Sequence, residues 1–256
     1  MGISKNLRLK LGVNSGPLFL FGRPNNYFGE RGAIYLCEAL SQDCKGFLDV
    51  GANRGYFTYF LWSVSNGKVP VYFFEPNPNL FDELSNGVTS NHLSGVMGYP
   101  MAMGNTNGKV PFYLNLSDDF SSSLTQDFAG LHQLKKVVVA SVTFDHFVEK
   151  TDLNHLLVKV DVEGAEFPFI EGASHQFHRI EYLVMEVLGP AFSKGLLATL
   201  KDRFGVHCYY INDFTLEHSS DGSFQYHPAQ YNWLFCRLEP GALMKTLGGT
   251  RFRVLF

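Results

Sequence analysis

The chain has 256 residues, with 21 Lys and Arg against 24 Asp and Glu and a formal net charge of −3. This length suits one α/β domain, and the lack of a basic run among aromatic residues excludes the electrostatic footprint of a nucleic-acid-binding protein. No stretch approaches the roughly 20 apolar residues needed to cross a bilayer, so no transmembrane segment is predicted.

The cysteines and the amino terminus indicate a cytoplasmic protein. The four cysteines are widely spaced, with no C-x-x-C pair and no zinc-like grouping with histidine, as expected of reduced thiols. The apolar segment behind the first basic residues is broken by Asn, Ser, Gly and Pro, which a signal peptide would not tolerate well. Association with a membrane surface is left open.

The chain begins with a predicted lead-in, residues 1–29, that is rich in Gly, Pro and Asn. From Glu30 to Leu40 the apolar residues recur on one face, which predicts a helix, and Glu30 is interpreted as an acid that stabilises its first turn. We expect the main domain to span residues 30–238 and a carboxy-terminal tail to span residues 239–256.

A strand, a turn, a helix and a second strand follow. The short apolar run at 47–50 predicts a buried parallel strand, and it leads through Gly51 and Gly55 into an apolar helix-like segment. Glycine lets a strand turn sharply with its backbone against a ligand. A second apolar run ends in Glu75, about 20 residues later, where an acid binds the ribose hydroxyls of a nucleotide cofactor. This order predicts a cofactor site.

The glycine spacing separates two cofactors, NAD and S-adenosylmethionine. The G-x-G-x-x-G fingerprint of NAD sites, started at Gly51, would need glycine at Asn53 and Tyr56, so only one of its three positions is met. The pattern D-x-G-x-G-x-G is met at Asp49, Gly51 and Gly55, with Asn53 in place of the middle glycine. In this respect the stretch resembles the first motif of class I methyltransferases, which use S-adenosylmethionine.

That resemblance implies a donor site. In class I methyltransferases the leading acid and the glycine turn hold the amino-acid end of the donor, the later acid holds the ribose, and residues after the third strand hold the adenine. The implied cofactor-binding residues of this chain are Asp49, Gly51, Asn53, Gly55, Glu75, Pro76, Asn77, Met101 and Ala102, together with Asp161.

The middle of the chain predicts a hairpin and a lid. The run Asn-Thr-Asn-Gly at 105–108 lies between β-rich segments, which is typical of a hairpin turn. The polar loop at 117–124 that follows is long enough to close over a bound acceptor.

A second charged turn follows the apolar strand at 156–160, where Asp161, Glu163 and Glu166 occupy six residues. Ligands of open parallel sheets bind outside the carboxyl ends of the strands, so this turn and the glycine turn are expected to face one crevice. Glu163 and Glu166 also fit ordinary acids of a helix first turn. A further strand ends near Glu186, and the candidate catalytic acids are Asp161, Glu163 and Glu186.

Three motifs, at 49–55, 74–78 and 159–166, together resemble the FkbM family of S-adenosylmethionine-dependent methyltransferases over roughly residues 30 to 238. The resemblance implies an α/β, Rossmann-like class I methyltransferase fold, with a seven-stranded, mostly parallel sheet, helices on both faces and an antiparallel edge pair. It also implies methyl transfer to a hydroxyl of a small molecule, such as a sugar, glycoconjugate or secondary metabolite.

Several alternatives stay open. A carboxylate whose pKa lies near the working pH is a suitable base for the hydroxyl proton, with Asp161 first among the candidates. A divalent cation bound by the same acids would instead lower the pKa of the hydroxyl itself, but no histidine at ligand spacing requires a metal, so none is predicted. A non-catalytic cofactor-binding or scaffold domain and, less favoured, an NAD-dependent oxidoreductase are the rival functions. No feature of the sequence indicates an oligomeric state.

Overall fold

The computed structural model describes residues 30–115, 122–124, 134–219, 223–225 and 231–256. The predicted lead-in at 1–29 and residues 117–121 of the predicted lid lie outside these ranges.

The described parts of the chain form both strands and α-helices. The strands are β1 Gly46–Val50, β2 Val71–Phe74, β3 Val96–Tyr99, β4 Met101–Met103, β5 Gly108–Asn115, β6 Leu134–Val142, β7 Leu156–Val160, β8 Ile180–Glu186, β9 His207–Asn212, β10 Thr215–His218, β11 Asn232–Cys236 and β12 Arg253–Leu255. The α-helices are α1 Arg31–Leu40, α2 Tyr56–Ser65, α3 Pro78–Ser90, α4 Phe144–Glu149, α5 Glu166–Gly172, α6 Gly189–Ser193, α7 Leu196–Phe204 and α8 Pro240–Thr246. None of the helices in these described ranges is long and apolar enough to cross a membrane.

The main sheet has nine described strands in the order β12-β10-β9-β11-β8-β7-β1-β2-β3. The strands from β3 through β2, β1 and β7 to β8 are parallel, while β11 is antiparallel to both β8 and β9. The α/β class and the mostly parallel sheet are therefore as predicted. Because parallel strands end at the same edge, the residues after β1, β2, β7 and β8 lie side by side.

The sheet is wider than the seven strands predicted. A turn at Asp213, whose backbone is left-handed at φ 48°, returns β10 antiparallel to β9. The carboxy-terminal tail then adds β12 parallel to β10. The antiparallel pair β9 and β11 consequently lies inside the sheet, where the sequence predicted its edge.

The helices cover both faces of the sheet. Alternate residues of a strand point to opposite faces, so Leu48 of β1 joins one apolar cluster and Phe47 joins the other. The first cluster includes residues of α4, α5, α6 and α7, and the second includes residues of α1, α2 and α8. Apolar side chains cover both faces of the central strands, which explains why β1 and β7 are buried along their whole length.

The prediction of a hairpin with its turn at 105–108 is wrong. In a second sheet of order β4-β6-β5, strand β6 lies between the two strands that this turn was expected to pair. β4 is parallel to β6, and β5 is antiparallel to it. The side chain of Asn107 accepts a hydrogen bond of 2.9 Å from the backbone N–H of Thr143, just after β6. This contact ties the connection to β6.

The tail predicted at 239–256 packs on the domain through α8 and β12. Phe252 and Val254 are buried in the second apolar cluster, whereas Leu255, the last residue of β12, is exposed. Nothing in this packing marks where a domain would end, so the predicted boundary at residue 238 stays a prediction.

Adjacent substitutions in β12 test this docking. Val254 is 7% exposed, so Val254→Asp places an unpaired charge in the second cluster. This variant is expected to lower the free energy of unfolding by about 2 to 3 kcal/mol. Leu255→Asp, at a residue 54% exposed, is the matched control and is expected to stay within about 0.5 kcal/mol. Urea unfolding measures both, and equal effects would contradict the docking.

Candidate active site

The turn after β1 requires glycine for two separate reasons. Gly51 and Gly55 both have left-handed backbones, at φ 79° and 82°. A Cβ added to Gly51 would overlap the backbone oxygen of Asp161, and one added to Gly55 would overlap the side chain of Leu84. The N–H of Asp161 donates a 2.9 Å hydrogen bond to the carbonyl of Val50. The glycine turn and the second charged turn therefore touch, as the sequence predicted for one shared crevice.

Asn53 fills the middle position of the glycine pattern without loss of the turn conformation. Its backbone is left-handed at φ 49°, a region that Asn tolerates better than most residues with a side chain. Its side-chain oxygen accepts a 2.8 Å hydrogen bond from the N–H of Arg54. Its own N–H donates at 2.7 Å to Glu75, the acid at the end of β2.

Two backbone groups fix the carboxylate of Glu75. One oxygen accepts from the N–H of Asn53 and the other from the N–H of Asn77, each at 2.7 Å. The side chain of Asn77 in turn caps α3 by accepting from the N–H of Asn79. Burial raises the pKa of Glu75 to about 7, although both hydrogen bonds lower it. The two contacts thus fix the orientation of the carboxylate.

Asp49 lies in β1, two residues before Gly51 of the glycine turn. Its carboxylate is 2% exposed and accepts a 2.6 Å hydrogen bond from the hydroxyl of Thr58 in α2. Burial raises its pKa to about 6 despite this hydrogen bond and the positive charge of Lys159. Asp49 therefore carries a negative charge at neutral pH.

One cavity of about 450 Å³ opens at the carboxyl ends of the parallel strands, a volume within the usual range of small-molecule sites. Its lining includes the predicted residues Asp49, Gly51, Asn53, Glu75, Pro76, Met101, Ala102, Asp161, Glu163 and Glu186. Gly55 and Asn77 are not among the described residues that line it. Gly55 shapes the turn against Leu84, and Asn77 anchors Glu75, so both act on the cavity indirectly.

The acids at the ends of β7 and β8 are crowded. Oxygens of Glu30, Asp161 and Glu186 all lie within 4.8 Å of one another. Burial and the charge of Asp161 raise the pKa of Glu186 to about 8, and burial with Asp161 and Glu186 raises that of Glu163 to about 9. Both glutamates therefore mostly hold a proton at pH 7. Glu166 is absent from the described lining and accepts a hydrogen bond from the N–H of Gly164, which fits a structural acid.

The ammonium group of Lys159 is a buried positive charge next to these acids. Its side chain is fully buried, with Nζ 3.6 Å from an oxygen of Asp161 and 5.0 Å from the centroid of the Phe57 ring. Burial alone would lower the pKa of Lys159, but the charges of Asp161, Glu186, Glu30 and Asp49 outweigh it and raise the pKa. The lysine stays protonated and forms an ion pair with its nearest partner, Asp161.

Sequence reasoning missed Glu30 and Lys159 as site residues. A lysine inside the apolar strand 156–160 is itself a signal, because a fully buried lysine needs a carboxylate partner. Glu30 gave no such signal. Its side chain makes no capping hydrogen bond within the described part of α1, and the carboxylate enters the cavity instead.

The described end of the predicted lid contacts this site. Ser123 and Tyr113 exchange two backbone hydrogen bonds, of 2.8 and 3.0 Å, and the Ser123 hydroxyl donates to the backbone oxygen of Glu163. Ser122 and Leu124 line the cavity. Since residues 117–121 lie outside the described ranges, closure of the loop stays a prediction.

Two substitutions at Asn53 test the turn. Asn53→Gly keeps the left-handed backbone and the N–H bond to Glu75, so the free energy of unfolding is expected to change by no more than about 1 kcal/mol. Asn53→Val forces a β-branched residue into that backbone and is expected to cost about 1 to 3 kcal/mol. Urea unfolding of both variants is the measurement, and a Val variant as stable as the Gly variant would contradict the assigned conformation.

Comparisons with known proteins agree with this geometry. The family model described as the methyltransferase FkbM domain matches residues 49–216. The hexuronic acid methyltransferase AglP of Haloferax volcanii is 24% identical over 164 residues, which are 62% of this chain and 62% of that relative. The chain therefore spans less than two thirds of the length of that curated relative.

One solved structure shares the fold. A putative rRNA methylase from Clostridium thermocellum is 10% identical, with a TM-score of 0.50 over 81% of this chain and 94% of that one. At this identity the likeness shows the fold alone. The family model covers well over half of the chain, and its match begins at Asp49 and includes the glycine turn, Glu75, the second charged turn and Glu186. The chain belongs to the FkbM methyltransferase domain family.

Proposed function

We propose that the protein is a methyltransferase that moves a methyl group from S-adenosylmethionine to a hydroxyl oxygen of a small molecule or carbohydrate. The observation that carries the proposal is one cavity that joins the glycine turn, the doubly anchored Glu75 and a group of acids with a buried lysine. Membership of the FkbM family supports methyl transfer. The relative named for hexuronic acid supports an acceptor related to a sugar.

The residues of the cavity fit the donor. Glu75 has lone pairs left to accept both ribose hydroxyls, because each of its oxygens receives one backbone N–H from the described part of the chain. We assign the amino-acid end to the turn from Asp49 to Asn53, and the adenine to Met101 and Ala102 beside Pro76. Gly55 and Asn77 support the donor from outside the lining, and Asp161 lies where the donor and acceptor regions meet.

NAD fits less well, since a pyrophosphate needs close approach to a glycine backbone. Side chains of Asn53 and Tyr56 line the cavity at the two positions where the dinucleotide fingerprint needs glycine. This favours the methyl donor over the dinucleotide.

S-adenosylmethionine supplies a methyl group on a sulfonium sulfur, and its transfer is an in-line displacement that needs close alignment of the reactants. As the acceptor oxygen bonds to the methyl carbon and the carbon–sulfur bond breaks, the hydroxyl proton must pass to a base. Asp161 is the proposed base, because its carboxylate lines the cavity at the end of β7, beside the buried cation Lys159.

Glu163 and Glu186 are the reserve bases. With pKa values raised to about 9 and about 8 by burial and by Asp161, they are mostly protonated at pH 7. In that form they are hydrogen-bond donors suited to orient the acceptor. They gain basic character only at higher pH, so Asp161 is preferred.

A metal is not needed in this account. The group of acids already has a buried cation, Lys159, to offset part of its charge. Lys159 contacts Asp161, the acid at which a divalent cation would otherwise be expected. We therefore propose metal-free transfer.

Glu75→Ala tests the donor site. The variant removes charge-assisted hydrogen bonds to ribose, each worth about 1.5 to 3 kcal/mol, so the affinity for S-adenosylmethionine is expected to fall at least tenfold. Calorimetry gives the affinity. The control is Asp82→Ala, which removes an exposed carboxylate of α3 outside the described lining and is expected to change affinity little. Unchanged affinity in Glu75→Ala would exclude the assigned role.

Asp161→Asn tests the chemistry. The variant keeps the shape of the side chain and removes the base, so turnover is expected to fall by roughly 10²- to 10⁴-fold while donor affinity stays nearly unchanged. Released S-adenosylhomocysteine reports turnover with an acceptor that the parent enzyme methylates, and the exposed Asp152→Asn is the control.

Two results would change this assignment. Full activity of Asp161→Asn would remove Asp161 from the role of base. Loss of parent activity with a chelator, restored by Mg²⁺, would replace the metal-free mechanism by a metal-assisted one.

A further inference from the structure

Glu30 reaches the cavity from outside the part of the chain that the family model matches, which is residues 49–216. It precedes α1, and its carboxylate oxygen lies within 4.8 Å of oxygens of both Asp161 and Glu186. Its side chain makes no capping bond within the described part of that helix. The position of Glu30 is therefore explained by the cavity and not by the helix.

The carboxyl groups around Glu30 outnumber the buried cation that faces them. Three carboxyl groups converge, and the buried cation among the described residues that faces them is Lys159, which lies closest to Asp161. Burying charge is costly unless an opposite charge is close. A ligand that carries one positive charge would therefore be bound more tightly here than a neutral ligand of the same shape.

The two ligands of the proposed reaction differ in that respect. S-adenosylmethionine carries a positive charge on its sulfur, whereas the product S-adenosylhomocysteine is neutral at the sulfur and otherwise shares its groups. We propose that Glu30 is a specificity-determining residue. Its carboxylate faces the positively charged sulfur of the donor and makes the protein prefer the donor to its product. This inference rests on the proposed function.

Glu30 is better suited to this task than its neighbours. Asp161 is already paired with Lys159, and the pKa of Glu186 is raised to about 8 by burial and by Asp161, so that acid mostly holds its proton. Burial, opposed by Lys159 and aided by Asp161 and Asp49, raises the pKa of Glu30 to about 7. Glu30 therefore changes from the neutral to the charged form near neutral pH, and an arriving cation favours the charged form.

This predicts a preference that depends on pH. A full charge about 5 Å away in a partly buried site is expected to change affinity for a cation by roughly tenfold or more. The ratio of the two dissociation constants, product over donor, is therefore expected to rise between pH 6 and pH 8. Contacts that both ligands share, including those of Glu75, largely cancel in this ratio.

Calorimetry with S-adenosylmethionine and S-adenosylhomocysteine tests the inference on the parent protein, E30Q, E30D and E38Q. E30Q is expected to lower the ratio about tenfold at pH 8 and to flatten its pH dependence, with product affinity changed less than about twofold. E30D keeps the charge and is expected to retain most of the ratio. E38Q, which removes a carboxylate elsewhere on α1, is the matched control and is expected to behave as the parent.

The outcomes separate this inference from the function on which it rests. If both ligands bind and E30Q keeps the ratio of the parent, the role of Glu30 is wrong and the proposed function stands. If E30Q weakens both ligands equally, Glu30 supports only the shape of the cavity, and the role is again wrong. If the parent binds neither ligand, the proposed function fails and this inference fails with it.

Discussion

The site depends on the contact between the ends of β1 and β7. Gly51 lies so close to the backbone oxygen of Asp161 that no side chain fits between them, and the N–H of Asp161 is bonded to Val50. This contact joins the glycine turn, to which we assign the donor, to the turn that carries the acids. Any residue other than glycine at position 51 would push the two strand ends apart, and with them the two sides of the cavity.

Electrostatics then decide what the acids do. The carboxyl groups of the cavity differ in the partners that surround them. Asp49 accepts a hydrogen bond from Thr58, Glu75 accepts hydrogen bonds from two backbone N–H groups, and Asp161 forms an ion pair with Lys159. Glu163 and Glu186 have less compensation, and their pKa values are raised to about 9 and about 8 by burial. The acids of the cavity thus differ in how readily they lose a proton, and this difference underlies the separate roles that we propose for them.

Local patterns predicted the local features of this protein. The glycine turn, Glu75 and the second charged turn lie within a few residues of the strands that position them, so periodicity and spacing were sufficient. The pairing of β4 and β5 with β6, the extra strands β10 and β12 and the entry of Glu30 depend on contacts between distant parts of the chain. Asn107 illustrates the reason, since its sequence context is typical of a hairpin while its hydrogen bond to Thr143 links it to another strand.

We propose above that this cavity binds S-adenosylmethionine and not a dinucleotide. The most direct measurement is a calorimetric comparison of S-adenosylhomocysteine with NADH on the same protein preparation. We expect saturable binding of S-adenosylhomocysteine and no measurable binding of NADH, because the turn has Asn53 and Tyr56 where a pyrophosphate needs glycine. Tight binding of NADH without binding of S-adenosylhomocysteine would contradict it.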